Sequence, residues 1–302
     1  MDECEASFES ALTWKLCSKN PGHPSFIPAH YLCVKHLPEW AQHEAVLEYL
    51  KNIMARTVRL RVALTSSSRP QSYKASGALH TGSGWVHWVS PGEGKCPCAD
   101  CDQNLSSAQS WWKVAVETAC HVVFDTEEAR STRVDVFYDD EASLQNGTAR
   151  TMCGIDMYDR SEEFDRSWFW CATHDPRLVD QLQWHLGQRW TLKKLLLQCH
   201  HDLSSSKHDF CVIVSHPHGQ PKQVTVGELR QSSQLDEKDH SSFIWTYSTD
   251  TCAGSSGAPV IVARQVQSAD GPLECTIGLA PHSKGGVDGN ENQSGVGSLT
   301  WY

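Results

Sequence analysis

Ser256 lies in the run Asp250-Thr251-Cys252-Ala253-Gly254-Ser255-Ser256-Gly257-Ala258-Pro259-Val260, a glycine-flanked turn that leads into an apolar strand. These residue types suit nucleophilic catalysis at a serine. Gly254 can adopt a backbone conformation closed to other side chains. The N–H groups of Gly254 and Ser256 can then converge on a developing oxyanion, with the Ser255 N–H a further geometric candidate. Gly257 leaves room beside the hydroxyl, and Pro259 opens the next strand, where a missing N–H costs little. A serine hydroxyl needs a base. The candidate is His121, at the end of Val114-Ala115-Val116-Glu117-Thr118-Ala119-Cys120-His121, an alternating strand. A buried carboxylate must then fix the imidazole tautomer. Asp175 is the expected partner: it follows the apolar run 168–173 and precedes Pro176-Arg177-Leu178. Asp180, Asp165 and Asp156 are its rivals, and Asp175 before Pro176 also suits a helix N-cap.

Cys96, Cys98 and Cys101 place three thiols within six residues, a donor set suited to Zn²⁺ if a fourth ligand comes from His87, Cys120 or a distant residue. The competing reading is a reduced cysteine-rich loop, so the expectation is no obligatory metal with zinc as an open alternative. Cys33 with His36, and Cys199 with His200 and His201, are weaker groupings. His216 and His218 read as part of a hairpin turn. Cys120 beside His121 raises the idea of an oxidation-sensitive gate on the base.

The surrounding elements must hold these groups. Residues 1–56 read as an N-terminal helical extension: after Pro38, the residues Trp40, Val46, Leu47, Leu50, Ile53 and Met54 fall largely on one helical face. From Thr57 the period changes to two, in Val58-Arg59-Leu60-Arg61-Val62 and again in Val134-Asp135-Val136. Residues 176–197 read as a helix or mixed linker. Later strands are expected at 210–214, 223–226, 243–247, 259–263 and 275–283.

The chain has 302 residues and a formal charge of −10, with 39% apolar residues. An acidic balance opposes a nucleic-acid role, and no apolar run approaches the length of a membrane span. Thirteen cysteines, with an acidic opening Met1-Asp2-Glu3-Cys4-Glu5 unlike a secretory leader, give the expectation of reduced thiols in the cytoplasm or nucleus. In that setting the sequons at Asn104, Asn146 and Asn292 carry no glycan.

The loop Gly254-Ser255-Ser256-Gly257-Ala258-Pro259, the Thr118-Ala119-Cys120-His121 strand end, Gly82-Ser83-Gly84 and the order His, Asp, Ser together resemble the trypsin-like serine peptidase superfamily, in its intracellular and bacterial-type members. The resemblance spans about residues 57–302. It implies an all-β fold of two packed six-stranded antiparallel barrels, about 57–175 and 205–302, behind the N-terminal extension. It implies endopeptidase activity on protein or peptide substrates through His121, Asp175 and Ser256, with the Gly254 and Ser256 N–H groups as oxyanion hole. Asp250 matches the position that attracts Lys or Arg at P1; His282 matches a histidine that glutamate-specific members use. Basic P1 is the favoured expectation. An inactive binding module of the same fold, or a zinc- or redox-regulated scaffold, is the alternative.

Overall fold

The computed structural model describes residues 10–70, 73, 80–102, 110–201, 209–236, 239–267, 273–285 and 291–300. Six strands build the first barrel: β2 (Thr57–Val62), β3 (His80–Pro91), β4 (Trp112–Thr118), β5 (Thr132–Val136), β6 (Arg150–Ser161) and β7 (Arg166–Thr173). They close antiparallel in the order β2-β3-β4-β7-β6-β5. Alternation explains the closure: Val58, Leu60 and Val62 of β2 and Val114 and Val116 of β4 all turn into one apolar cluster.

The second barrel uses β8 (Phe210–Ser215), β9 (Gln223–Asp236), β10 (Asp239–Tyr247), β11 (Pro259–Gln267), β12 (Leu273–Lys284) and β13 (Asn292–Ser294). These pair in the order β9-β8-β11-β12-β13-β10, and a β9–β10 pairing closes the ring. The short strand β14 (Gly297–Thr300) bridges β10 and β12. Strand β8 is buried along its whole length. Cys211 and Ile213 face the barrel interior with Trp245 and Tyr247. Phe210, Val212 and Val214 face outward into a second cluster. Burial on both faces is why this strand reads as a continuous apolar run.

That outer cluster is covered by the N-terminal segment. Helix α2 (Glu44–Arg56) buries Val46, Leu47, Leu50 and Ile53 against β8, β11 and β12, with Leu32 and Leu37 beside them. Each such side chain contributes about 1.5–3 kcal/mol when fully buried. Strand β1 (Ile27–Pro28) adds to β9 in antiparallel register, Ile27 opposite Val224. The first 56 residues thus include a strand and a helix that complete the second barrel's outer layer. The Trp40 side chain of the expected apolar face lies outside the described residues.

Helix α6 (Pro176–His201) connects the barrels and packs Leu178, Val179 and Leu182 into the first core. Its N-terminus corrects the expectation for Asp175. The Asp175 Oδ1 accepts the N–H of Arg177 at 2.9 Å and of Leu178 at 3.3 Å, while Oδ2 accepts Arg150 Nε at 3.0 Å. Asp175 is a helix cap with a half-exposed ion pair, because the α6 N–H groups that Pro176 leaves open need an acceptor.

Candidate active site

Strand β4 ends at Thr118, whose hydroxyl donates to Ser83 O at 2.7 Å across to β3. The chain then turns at 119–122, closed by Val122 N to Ala119 O at 3.0 Å, and places His121 4% exposed between the barrels. The turn is held by a buried ion pair. Arg69 donates to His121 O at 2.8 Å and Val122 O at 3.2 Å, and its Nε meets Glu128 Oε1 at 2.5 Å. Glu128 also accepts Phe124 N and Ser66 N, both at 2.8 Å. Both charged side chains are about fully buried, at 1% and 0% exposure.

The carboxylate that meets His121 is Asp165. Asp165 Oδ2 accepts His121 Nδ1 at 2.7 Å and Oδ1 accepts His121 N at 3.0 Å. Asp165 lies in the β6–β7 turn at φ +45°, a region that tolerates aspartate better than most residues. Ser283, on β12, donates its hydroxyl to Asp165 Oδ2 at 2.5 Å. Burial alone would raise the Asp165 pKa; the His121 imidazole and the hydrogen bonds from His121 and Ser283 outweigh it and bring it to about 2. A proton on His121 Nδ1 leaves Nε2 as the basic nitrogen.

The Ser256 loop is fitted against this turn. Gly257 has φ +78°, and a Cβ there would lie 2.0 Å from Thr118 Oγ1 and 2.9 Å from Ala119 N. Ser83 N donates to Ser256 O at 2.8 Å. Ser83 Oγ donates to Gly254 O and accepts His216 N, both at 2.8 Å. Among the described residues, Ser256 Oγ and His121 Nε2 are buried side-chain atoms with no hydrogen-bond partner. Free catalytic sites often show this looseness and tighten on substrate. The Gly254 and Ser256 N–H groups donate to no acceptor among the described residues, whereas the Ser255 N–H is used by Cys252 O at 2.9 Å. A serine hydroxyl, a base with an oriented tautomer and two open backbone donors can together perform acyl transfer.

No protein-family model matches the chain, and no curated protein matches it in sequence. Solved structures similar to it include the active form of the Rv3671c protease from M. tuberculosis, at 12% identity, with 82% of this chain and 78% of that one covered and a TM-score of 0.39. Others are the HtrA-type protease AlgW with a tripeptide (10% identity, 85% and 60% covered, TM-score 0.40) and Deg5 (12% identity, 77% and 88% covered, TM-score 0.39).

The two residues assigned to specificity are both engaged by protein groups. Asp250 is half-buried; its Oδ2 accepts the Ser25 hydroxyl and its carbonyl accepts Thr225 Oγ1 at 3.0 Å. His282 is fully buried and its Nδ1 shares a 2.6 Å hydrogen bond with Tyr247 Oη. His282 N and O pair with Ala258 O and Gly257 N at 2.8 Å, so β12 also fixes the loop beyond Ser256.

Cys96, Cys98 and Cys101 converge with His174, their ligand atoms all within 4.8 Å of one another. His174 Nε2 lies 3.1 Å from Cys101 Sγ and 4.0 Å from Cys98 Sγ, while its Nδ1 bonds Ser110 O at 3.2 Å. The fourth member is therefore His174. His87 instead packs on Trp168 and faces Glu117. Cys120 is fully buried and stands outside this group; burial and then the Asp165 charge push its thiol up to about 12. A buried, protonated thiol is inert, which removes the basis for an oxidation gate at Cys120. The ten described cysteines are all unbridged; the side chains of Cys199, His200, His201 and Cys275 lie outside the described residues. No described helix is long and apolar enough to cross a membrane.

Sequence reasoning missed Ser283, Arg69, Glu128 and His174. Ser283 follows His282 on the strand expected at 275–283, and that neighbourhood to a candidate specificity residue was the available signal. The others act at distances in sequence that no local pattern encodes.

Proposed function

We propose that the chain is a serine-type endopeptidase. The observation that supports this best is the convergence of three elements on His121: Asp165 on Nδ1, Ser283 on Asp165, and the Ser256 loop packed on the His121 turn. Ser256 Oγ attacks the scissile carbonyl while His121 Nε2 takes its proton. The oxyanion forms against the Gly254 and Ser256 N–H groups. His121 then protonates the leaving amine, and water, activated by the same base, hydrolyses the acyl-enzyme. Asp165 keeps the imidazole in the tautomer that this requires.

The half-buried Asp250 carboxylate supports Lys or Arg at P1, since a cation there would complete its pairing. Matched Arg, Glu and Leu peptides test this; a glutamate preference transfers the role to His282. The test of the activity itself is labelling by a fluorophosphonate serine probe. Wild type is expected to label, and Ser256→Ala and His121→Ala are not. Folded protein that does not label would favour the binding-module reading.

For the Cys96 loop, the donor set of three thiols and one imidazole supports a structural Zn²⁺. The backbone acceptor on His174 Nδ1 leaves Nε2 free to ligate, an orientation common among metal-bound histidines. Such an ion would staple the loop after β3 to the end of β7.

A further inference from the structure

A second group of thiols and imidazoles lies beside the nucleophile loop. Cys17 and His23 come from the N-terminal segment, Cys252 precedes Gly254 by two residues, and His218 sits in the turn after β8. Their ligand atoms all lie within 4.8 Å of one another. We propose that Cys17, His23, His218 and Cys252 bind one Zn²⁺, which fastens the N-terminal segment to the oxyanion loop.

The distances fit. Zn–S bonds of ~2.3 Å and Zn–N bonds of ~2.0–2.1 Å at tetrahedral angles set sulfurs ~3.8 Å apart and a sulfur and a nitrogen ~3.5 Å apart. Cys17 Sγ and Cys252 Sγ are 3.7 Å apart, and Cys252 Sγ is 3.5 Å from His23 Nε2. Both sulfurs are furnished as thiolate acceptors: Asn20 N approaches Cys17 Sγ at 3.4 Å and Asn20 Nδ2 approaches Cys252 Sγ at 3.0 Å. A neutral thiol accepts weakly, whereas a metal-bound thiolate is commonly supported by such donors. The histidine ring is also fixed, since Trp14 stacks on His23 with centroids 3.6 Å apart. Binding releases two protons, one from each thiol, and changes no oxidation state.

The site reaches the chemistry through the backbone. His218 N donates to Ala253 O at 2.6 Å, and a Cβ on Gly254 would lie 2.9 Å from His218 N. Two ligands therefore bracket the peptide that aims the Gly254 N–H. The effect on catalysis rests on the serine-peptidase reading; the metal binding does not.

The test is zinc content of the full chain purified under reducing conditions, compared with Cys17→Ser, His23→Asn and, separately, Cys96→Ser. Cys17→Ser and His23→Asn are each expected to lose one equivalent of zinc relative to wild type and to lower fluorophosphonate labelling by as much as ~10² through the disturbed oxyanion donor. Co²⁺ titration of chelated wild type should give tetrahedral thiolate–cobalt bands that Cys17→Ser weakens and Cys96→Ser leaves in part. A variant-free measurement is alkylation: Cys17 is expected to be protected in wild type and to react after chelation. Equal zinc in wild type and both N-terminal variants, unprotected Cys17, or a Cys17–Cys252 disulfide in the native protein would overturn the proposal. Zinc at this site without labelling would sink the peptidase reading alone, and labelling without this zinc would sink the metal site alone.

Discussion

Asp165 grips His121 at two points, its Oδ2 on the imidazole Nδ1 at 2.7 Å and its Oδ1 on the backbone N–H at 3.0 Å. A carboxylate bound this way fixes both the tautomer and the position of the ring. Asp175, by contrast, spends its oxygens on the first turn of α6 and on Arg150.

The two aspartates should therefore separate cleanly on substitution. Asp165→Asn is expected to lower the rate of probe labelling by ~10⁴, the scale of losing the correct tautomer in a triad. Asp175→Ala should leave labelling unchanged and lower stability by about 1 kcal/mol, as for a lost N-cap. Labelling kinetics and urea unfolding of both variants check this; the reverse pattern would return the role to Asp175.

Acid should undo the Asp165 contact within a defined window. Its folded pKa of about 2 lies below the usual carboxylate value because His121 and Ser283 outweigh the opposing effect of burial. A depressed carboxylate contributes stability that is fully present above the unfolded pKa of ~4 and is lost as pH falls through the folded value. The shift corresponds to an order of ~2 kcal/mol. Unfolding free energies of wild type and Asp165→Asn, measured from pH 6 to pH 2, should keep a constant gap above about pH 4 and converge below it. A gap that stays the same down to pH 2 would show a carboxylate that is not depressed.

The Arg69–Glu128 pair holds the His121 turn from behind. Glu128→Ala would strand the fully buried Arg69 guanidinium and free Phe124 N and Ser66 N. Breaking a buried pair from one side costs about 3–5 kcal/mol, which at this chain size lowers Tm by an order of ~10 °C. Calorimetry on Glu128→Ala measures it; a shift of a degree or two would show that the turn stands without the pair.

Much of this was legible in the residues, and the failures have physical causes. The alternation of Val58, Leu60 and Val62, and of Val114 and Val116, announces strands because one face of each is sealed in a core. The tight turn around Ser256 was legible because its conformation needs glycine at fixed positions: Gly254 takes φ +84° and Gly257 φ +78°. The carboxylate was not legible, because Asp165 and Asp175 both follow or precede apolar strands and only the β6–β7 pairing decides which end faces His121. His174 was hidden for the same reason: the pairing of Trp112 with Thr173 brings the end of β7 to the start of β4 and so toward the cysteine loop. His218 looked like turn punctuation because its partners, Cys17 and His23, lie about two hundred residues away.

Adjacent serines give the sharpest remaining test of the loop. Ser255 Oγ donates to Ser215 Oγ at 3.2 Å and accepts Cys252 N at 3.3 Å, so it is committed to holding the turn. Ser256 Oγ has no partner among the described residues, although it is fully buried. An unsatisfied buried hydroxyl costs about 1–3 kcal/mol, and a site retains such a group when the hydroxyl has work to do with a ligand. Ser256→Ala should thus abolish labelling while leaving stability unchanged or slightly raised. Ser255→Ala should keep labelling within a few-fold and lower stability by about 1 kcal/mol, the usual value of a lost hydrogen bond. Mass mapping of the labelled peptide completes the measurement: a probe adduct on Ser255, or labelling that survives Ser256→Ala, would reassign the nucleophile.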